Sequence, residues 1–539
     1  MKPKFFEAMK SYSKGQFAKD VVAGIIVAII ALPLSIALAL ASGVNPSQGI
    51  YTAIFAGFVI ALLGGSLVQV SGPTAAFATI VAGIVAKSGM TGLAVATIMA
   101  GIILVLMGLL RFGALIKFIP YTIVTGFTSG IAVTIVIGQL KDFLGLTFNN
   151  APIKTLGKLK EVVNCISTIN YQAVIVGVVS LLILILFPLI TEKIPASLIA
   201  VLVSIAMVKG LSMDVNTIGS LYEISNKLPA MSIPQMDINM IRTMLPSAFT
   251  IAILAAIESL LSCVVSDEMI GDKHNPNMEL IGQGAGNIAS ALFGGIPATG
   301  AIARTAANVK NGGRTPVAAM VHSVVLVLVL LVLMPYAALI PMPAIAAILF
   351  MVAYNMCGWK QFVNLTKKSP KSDIFVLFIT FILTIVFDLV VAIEIGFAIA
   401  TLLFIKRMAE VSEVRSWTYV EEEKDGYMVV PKGTLVYEIV GPMFFADEDK
   451  FMDIKAKEDT KAIIIRMRSV PSIDASALRK LVKIHDYCVN NNITLIFSHV
   501  NEQPEKMMRK AGFIEKVSKE NFCVNIDAAM ERAHQICED

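Results

Sequence analysis

The chain has 539 residues, of which 56% are hydrophobic and only 15% charged, against roughly 45–50% apolar and about 25% charged in soluble domains. That balance excludes a single water-soluble globule, and a net charge of +5 spread over lysine-bearing loops reads as membrane orientation, not as a nucleic-acid footprint. The six cysteines, Cys165, Cys263, Cys357, Cys488, Cys523 and Cys537, show no metal-ligand spacing, and no cofactor motif stands out, so reduced, unpaired thiols are expected.

A polar arm, 1–19, opens the chain with Lys2, Lys4, Lys10, Lys14 and Lys19; it is too polar, and the apolar run after it too long, for a cleavable signal. From 20 to 408 charge is scarce. About fourteen candidate membrane segments fall at 20–42, 49–66, 73–88, 93–111, 118–140, 173–191, 195–212, 246–267, 279–295, 301–310, 316–337, 342–356, 373–388 and 390–406. An even count puts both termini on one side. Basic residues in alternate loops (Arg111 and Lys117; Lys193; Lys310 and Arg314; Lys360, Lys367, Lys368 and Lys371) make that side cytoplasmic. Two loops disagree: an external one with Lys141, Lys154, Lys158 and Lys160, and an internal acidic one with Asp267, Glu268 and Asp272. A linker is expected over 409–429. From 430 to 539 strands at 434–440, 462–467 and 493–498 alternate with helices at 475–490, 504–511 and 526–537, which argues for one sheet with helices packed against it.

Two membrane segments are interrupted. Val70-Ser71-Gly72-Pro73-Thr74-Ala75-Ala76 precedes the third, and Gly294-Gly295-Ile296-Pro297-Ala298-Thr299-Gly300-Ala301 precedes the tenth, seven segments later. Short, Gly/Pro-interrupted segments at matching places in two halves point to a transporter binding site. A helix that begins at bilayer depth presents N–H groups without intrahelical partners, and its dipole favours an anion. Pro73 suits a first turn, since its missing N–H would be unpaired there, and Thr74 and Thr299 are candidate hydroxyl donors. The competing reading is that these Gly and Pro residues only kink helices for packing.

Two ionisable residues lie within segments, where charge is costly and marks function by default. Arg304, near the start of the tenth, is a candidate anion partner; otherwise it snorkels to the interface. Glu258, in the middle of the eighth, is a candidate carrier of a coupling proton or cation; otherwise it is a structural partner for Arg304 or a hydroxyl. Asp388 and Glu394 read as interfacial, and His274, with Asp267 and Glu279 nearby, as a solvated loop residue.

These segments, together with Leu32-Pro33-Leu34-Ser35-Ile36-Ala37, Gly49-Ile50-Tyr51-Thr52-Ala53, Ala256-Ile257-Glu258-Ser259-Leu260-Leu261 and Pro297-Ala298-Thr299-Gly300-Ala301-Ile302-Ala303-Arg304-Thr305, resemble the SulP family of sulfate-permease anion transporters over nearly the whole chain. Within it the chain looks most like the bacterial branch that includes a C4-dicarboxylate transporter. The resemblance implies a polytopic α-helical membrane protein of seven plus seven spans in inverted repeat, working as a homodimer by an elevator-like shift in a bacterial inner membrane. It implies an anion site at Pro73, Thr74, Ala75, Ala76 and Phe77 with Thr299, Gly300, Ala301, Ile302 and Ala303, and a coupling position at Glu258 with Ser262 nearby. Where sodium-coupled bicarbonate members carry Asp, this chain has Glu258, which shifts the expectation toward a proton. The first span, with Pro33 and Ser35, lacks the carboxylate of several proton-coupled relatives, which pulls the other way. The tail resembles a cytoplasmic α/β STAS domain, with Val470-Pro471-Ser472-Ile473-Asp474-Ala475-Ser476-Ala477-Leu478 as its signature loop. There Ser476 stands where related proteins carry a phosphorylated serine, Asp474 is either regulatory or a helix cap, and the resemblance implies a cytoplasmic protein partner for the domain. An anion channel and a nucleobase permease remain as alternatives, the latter disfavoured by the tail. A membrane enzyme is disfavoured because no P-loop, zinc-ligand set or Ser/His/Asp grouping appears.

Overall fold

A computed structural model describes residues 2–114, 120–150, 152–191, 194–387, 389–411, 413–416, 430–444 and 459–538. Lys117, Lys193 and Asp388 lie outside the described residues, as do 417–429 of the expected linker. The chain divides into two compact units, Met1–Phe397 and Ala398–Asp539.

The first unit is helical. A short α1 (Lys4–Ala8) precedes α2 (Lys14–Ala41) and α3 (Pro46–Leu63). A single 3₁₀ turn, Ala75–Phe77, leads into α4 (Ala78–Leu109), followed by α5 (Tyr121–Leu144) and α6 (Thr155–Asn164). Then come α7 (Tyr171–Ile190), α8 (Ala196–Gly210), α9 (Ile218–Leu221), α10 (Ile238–Ile270), α11 (Pro276–Leu292) and α12 (Ile302–Lys310). The set ends with α13 (Pro316–Ala337), α14 (Met342–Cys357), α15 (Trp359–Lys368), α16 (Lys371–Val386) and α17 (Leu389–Val411), the unit boundary falling within α17. Every expected membrane segment falls on one of these helices, and eight stretches of the described residues are long and apolar enough to cross a bilayer. The third and fourth expected segments run together in α4, which breaks at Gly89, whose φ of 65° and ψ of −170° are readily adopted only by glycine. The thirteenth and fourteenth are separate helices, parted at Phe387.

The two loops that disagreed with the charge rule each hold specific local contacts. In the acidic one, Lys4 of the arm reaches Asp272 at 3.8 Å. There Asp267 also accepts from the His274 backbone N–H and lies 2.7 Å from its Nδ1, so His274 is a paired, nearly buried residue and not the solvated one expected. In the basic one, Glu161 of α6 accepts backbone N–H groups of Asn149 and Asn150, both at 3.0 Å. A further carboxylate that the sequence did not flag, Asp20, is fully buried and accepts from Tyr12, Gln16, Thr315 and the backbone of Arg314. Burial, with Asp20 beside it, pushes the Tyr12 phenol up to about 12, so it stays protonated and donates. The arm is thereby fastened to the turn after α12.

The second unit is a five-stranded sheet in the order β3–β4–β5–β6–β7: β3 (Glu413–Ser416), β4 (Thr434–Val440), β5 (Ala462–Ser469), β6 (Thr494–Ser498) and β7 (Phe522–Cys523). The β3–β4 pair is antiparallel and the rest are parallel. The expected linker is therefore partly sheet, since β3 lies within it. Around the sheet lie α18 (Ala475–Asn490), α19 (Glu502–Lys510), α20 (Phe513–Val517) and α21 (Ile526–Glu538). Alternate β5 residues serve two apolar cores: Ile463 and Ile465 belong to one, Ala462 and Ile464 to the other, as period-two alternation requires. Asp474 accepts the Ala477 backbone N–H at 2.8 Å and caps α18; Ser476, the second residue of that helix, is half-buried. Asp474→Ala is expected to remove about 1 kcal/mol from α18, read as faster hydrogen exchange of its first-turn amides in the intact protein.

Candidate functional site

The chain leading to the third helix and the chain leading to the tenth are hydrogen-bonded to each other. Ser71–Gly72 (β1) pairs antiparallel with Thr299–Gly300 (β2), Ser71 opposite Gly300 and Gly72 opposite Thr299, and the Ala301 N–H adds a bond to the Val70 carbonyl at 3.0 Å. Helical residues begin at Ala75 on one side and Ile302 on the other. Because the strands are antiparallel and each enters a helix within a few residues, the two helices leave in opposite directions with their amino ends beside the ladder. The pairing also satisfies backbone groups that would be stranded at membrane depth. Pro73 lies ahead of the first turn, not in it as the sequence suggested; what it contributes is a carbonyl without a neighbouring N–H of its own.

Neither helix start is capped by a side chain, a condition shared with α5, α8, α14 and α16 but not with α2, α3, α7, α10, α11 and α13, which Ser13, Asn45, Asn170, Asp237, Asn275 and Thr315 cap. Both candidate hydroxyl donors are engaged elsewhere. Thr74 donates to Glu258 Oε2 at 3.1 Å, and Thr299 Oγ1 lies 2.9 Å from Ser259 Oγ. The amino ends of the two helices thus keep their free backbone donors. Their surroundings differ: Ala75, Ala76 and Phe77 are buried, Thr74 and Ala301 half-buried, and Ile302 and Ala303 exposed. The Phe77 ring is fully buried.

Arg304 is only 3% exposed, which rules out snorkelling. Its Nη2 donates to the Pro73 carbonyl at 2.6 Å, so a side chain from one helix start grips the backbone of the other. Its second terminal amino group, Nη1, is buried with no hydrogen-bond partner among the described residues. The guanidinium lies against the backbone of Gly72, where a Cβ would come within 2.3 Å of Nη1. Gly72→Ala is therefore expected to push the Arg304 fork off Pro73 and raise the half-saturation concentration for the transported anion about tenfold, equivalent to ~1.4 kcal/mol; initial uptake rates against concentration check it.

Glu258 is half-buried on α10. The next residue, Ser259, accepts the Gly300 N–H at 3.0 Å. Consecutive residues of one helix thus hold the two leaders: Glu258 the β1 side through Thr74, Ser259 the β2 side through Thr299 and Gly300. Ser262, four residues on and so on the Glu258 face, is buried with its hydroxyl unpartnered among the described residues. Glu258 and Arg304 are not directly paired; both act on residues 73–74.

Sequence reasoning missed Ser259 and a second polar cluster. Buried Glu279 accepts from Gln69 at 2.6 Å, Gln283 at 2.8 Å and the Gly65 N–H at 2.9 Å, and Gln283 also donates to Ser71 at 3.0 Å. This cluster supports β1 from the α11 side. Its available signal was the spacing Glu279–Gln283–Asn287, a polar residue every four positions along one face of a largely apolar helix.

Among known proteins, the sulfate permease family model matches residues 17–380 and the STAS domain model residues 427–529. YvdB of Bacillus subtilis (strain 168), which carries a sulfate-transporter name, is 38% identical over 96% of this chain and 98% of its own length. The bicarbonate transporter BicA of Picosynechococcus is 28% identical over 95% of this chain and 94% of its own. The murine anion transporter Slc26a9, solved in an inward-facing state, superposes with a TM-score of 0.89 at 18% identity, covering 98% of this chain and 94% of that one; at that identity the likeness speaks for the fold. With uncapped half-helices at matching places, and a family model spanning most of the membrane unit, the chain belongs to the sulfate permease family of multi-pass anion transporters and ends in a STAS domain.

Proposed function

We propose that this protein is a secondary active transporter of small oxyanions. The anion docks between the Thr74–Phe77 and Ala301–Ala303 helix starts, and Glu258 carries a coupling proton. The observation that carries the reading is the pair of uncapped amino ends set beside one antiparallel ladder, with the free Arg304 Nη1 next to them. Backbone donors and one guanidinium recognise negative charge and oxygen acceptors without a metal or cofactor. Coupling is supported by geometry as well. Thr74, the residue at one helix start, donates to Glu258, so the protonation state of that carboxyl bears directly on the docking end. A carboxylate accepts from Thr74 and adds negative charge close to the site; a carboxylic acid does not repel the anion. Proton and anion thus favour each other's binding, which is the condition for symport.

The ladder, α10 and the two half-helices form one hydrogen-bonded assembly, which supports an elevator motion of the whole site over independent movement of its parts. The names of the relatives favour sulfate or bicarbonate over C4-dicarboxylates. The test is uptake by reconstituted vesicles of labelled sulfate, bicarbonate and succinate, with an imposed pH gradient and with or without sodium. Concentrative uptake driven by external acid and indifferent to sodium is expected. Equilibration without accumulation under either gradient would exclude coupled transport and leave a channel or an uncoupled carrier.

A further inference from the structure

Between Glu279 and Asp373 the sequence has no acidic residue, and within that stretch four lysines gather at one place: Lys360, Lys367 and Lys368 on α15, and Lys371 at the first residue of α16. All four side chains are exposed. Two membrane crossings, α13 and α14, separate this place from the Lys310–Arg314 turn. The cluster therefore lies on the same face as that turn and the arm fastened to it through Gln16 and Asp20.

The helix itself is two-sided. Phe362 packs edge-on against Phe378 at 5.7 Å and tilted against Phe381 at 5.4 Å, both on α16, so one side of α15 packs on α16 at this end of the membrane unit. Lys360, Gln361, Asn364, Lys367 and Lys368 form the opposite, exposed side. Around the same end, large apolar side chains stay exposed: Tyr354 at 68%, Trp359 at 62% and Phe375 at 55%. Aromatic side chains at the ends of spanning helices mark the level of the lipid headgroups, and a basic amphipathic helix at that level lies in the interface plane.

We propose that α15 and the first turn of α16 form a binding surface for anionic phospholipid headgroups. Lys360, Lys367, Lys368 and Lys371 contact the phosphates, and Trp359, Tyr354 and Phe375 lie among the upper acyl chains. The aromatics decide between a lipid and an acidic protein. An acidic protein neutralises the lysines but leaves three large apolar side chains facing water, whereas a lipid satisfies both. The surface rests on the membrane embedding alone and not on the transport reading, and its test needs no transport.

The chain has two tryptophans, so Trp417→Phe leaves Trp359 as the sole tryptophan, excited selectively at the red edge. That protein is reconstituted in phosphatidylcholine vesicles containing equal, small fractions of acyl-brominated phosphatidylglycerol or acyl-brominated phosphatidylcholine. The expected result is quenching of Trp359 several-fold stronger by the brominated phosphatidylglycerol, with the preference abolished when Lys360→Gln, Lys367→Gln, Lys368→Gln and Lys371→Gln are combined. Equal quenching by the two lipids, a preference that survives the four substitutions, or no quenching by either lipid overturns the proposal, the last by showing that Trp359 does not lie among acyl chains.

Discussion

Glu258→Gln is expected to abolish concentrative uptake and to leave downhill anion exchange in place. The glutamine carbonyl still accepts the Thr74 hydroxyl, now 3.1 Å from Oε2 of the acid, so the docking end keeps its geometry and the protein its fold. What is lost is a group that gains and gives up a proton. For symport of one proton per anion, with membrane potential clamped, each unit of pH difference supplies about tenfold accumulation, or ~1.4 kcal/mol. Wild-type vesicles with acid outside should approach that ratio at steady state, while the variant should level off near equality. A counterflow assay, in which internal unlabelled anion drives entry of labelled anion, should remain within about twofold of wild type. Unchanged accumulation in the variant removes Glu258 from the coupling step, whatever its effect on rate.

Arg304→Ala should raise the half-saturation concentration for the anion by roughly 10- to 150-fold, the worth of a charge-assisted hydrogen bond at about 1.5–3 kcal/mol. Two losses combine. The free Nη1 beside the helix starts disappears, and so does the bond that holds Pro73 to α12. Arg304→Lys separates them. A lysine restores the charge, but a single ammonium does not reproduce the planar fork that reaches Pro73 and the site together. Its half-saturation should therefore lie between those of wild type and alanine. If lysine matches wild type, the fork is irrelevant and only charge matters. If alanine matches wild type, Arg304 does not bind anion. The alanine variant leaves no unpaired charge behind, so its expression level and melting temperature should be measured alongside to keep a folding defect apart from a binding one.

Much of this arrangement was legible in the chain because membrane spans are long and monotonous, and their interruptions stand out. The Gly/Pro breaks before Ala75 and Ile302 and the lone charges Glu258 and Arg304 are conspicuous against an apolar background. What was not legible depends on pairing across long separations. A two-residue strand has no periodicity to detect, so β1 and β2 could be found only in space, as could the grip of Arg304 on Pro73. Thr74 and Thr299 read as donors to a ligand because hydroxyls are the only side-chain donors there; that both are claimed by α10 depends on the rotation of that helix, which places Glu258 and Ser259 toward different leaders. Asp20 escaped notice because it sits where a polar arm meets an apolar span and looks like part of the arm. In the tail, α18 and β4 matched to the residue because their apolar patterns are strong. By contrast β3, four residues with three exposed, has no buried face to announce it.

The ladder between β1 and β2 also constrains how the protein is made. Its strands are separated by about 230 residues and most of the membrane unit (Ser71 to Gly300). Until the second strand leaves the ribosome, Ser71 and Gly72 have unpaired backbone groups at a depth where no water replaces the missing partner. The amino-terminal half therefore waits in an incomplete state through the synthesis of seven more segments, some tens of seconds at bacterial rates of about 5–20 residues per second. Truncated chains ending before residue 299 should be prone to proteolysis, and those extending through α12 should be the first to resist it.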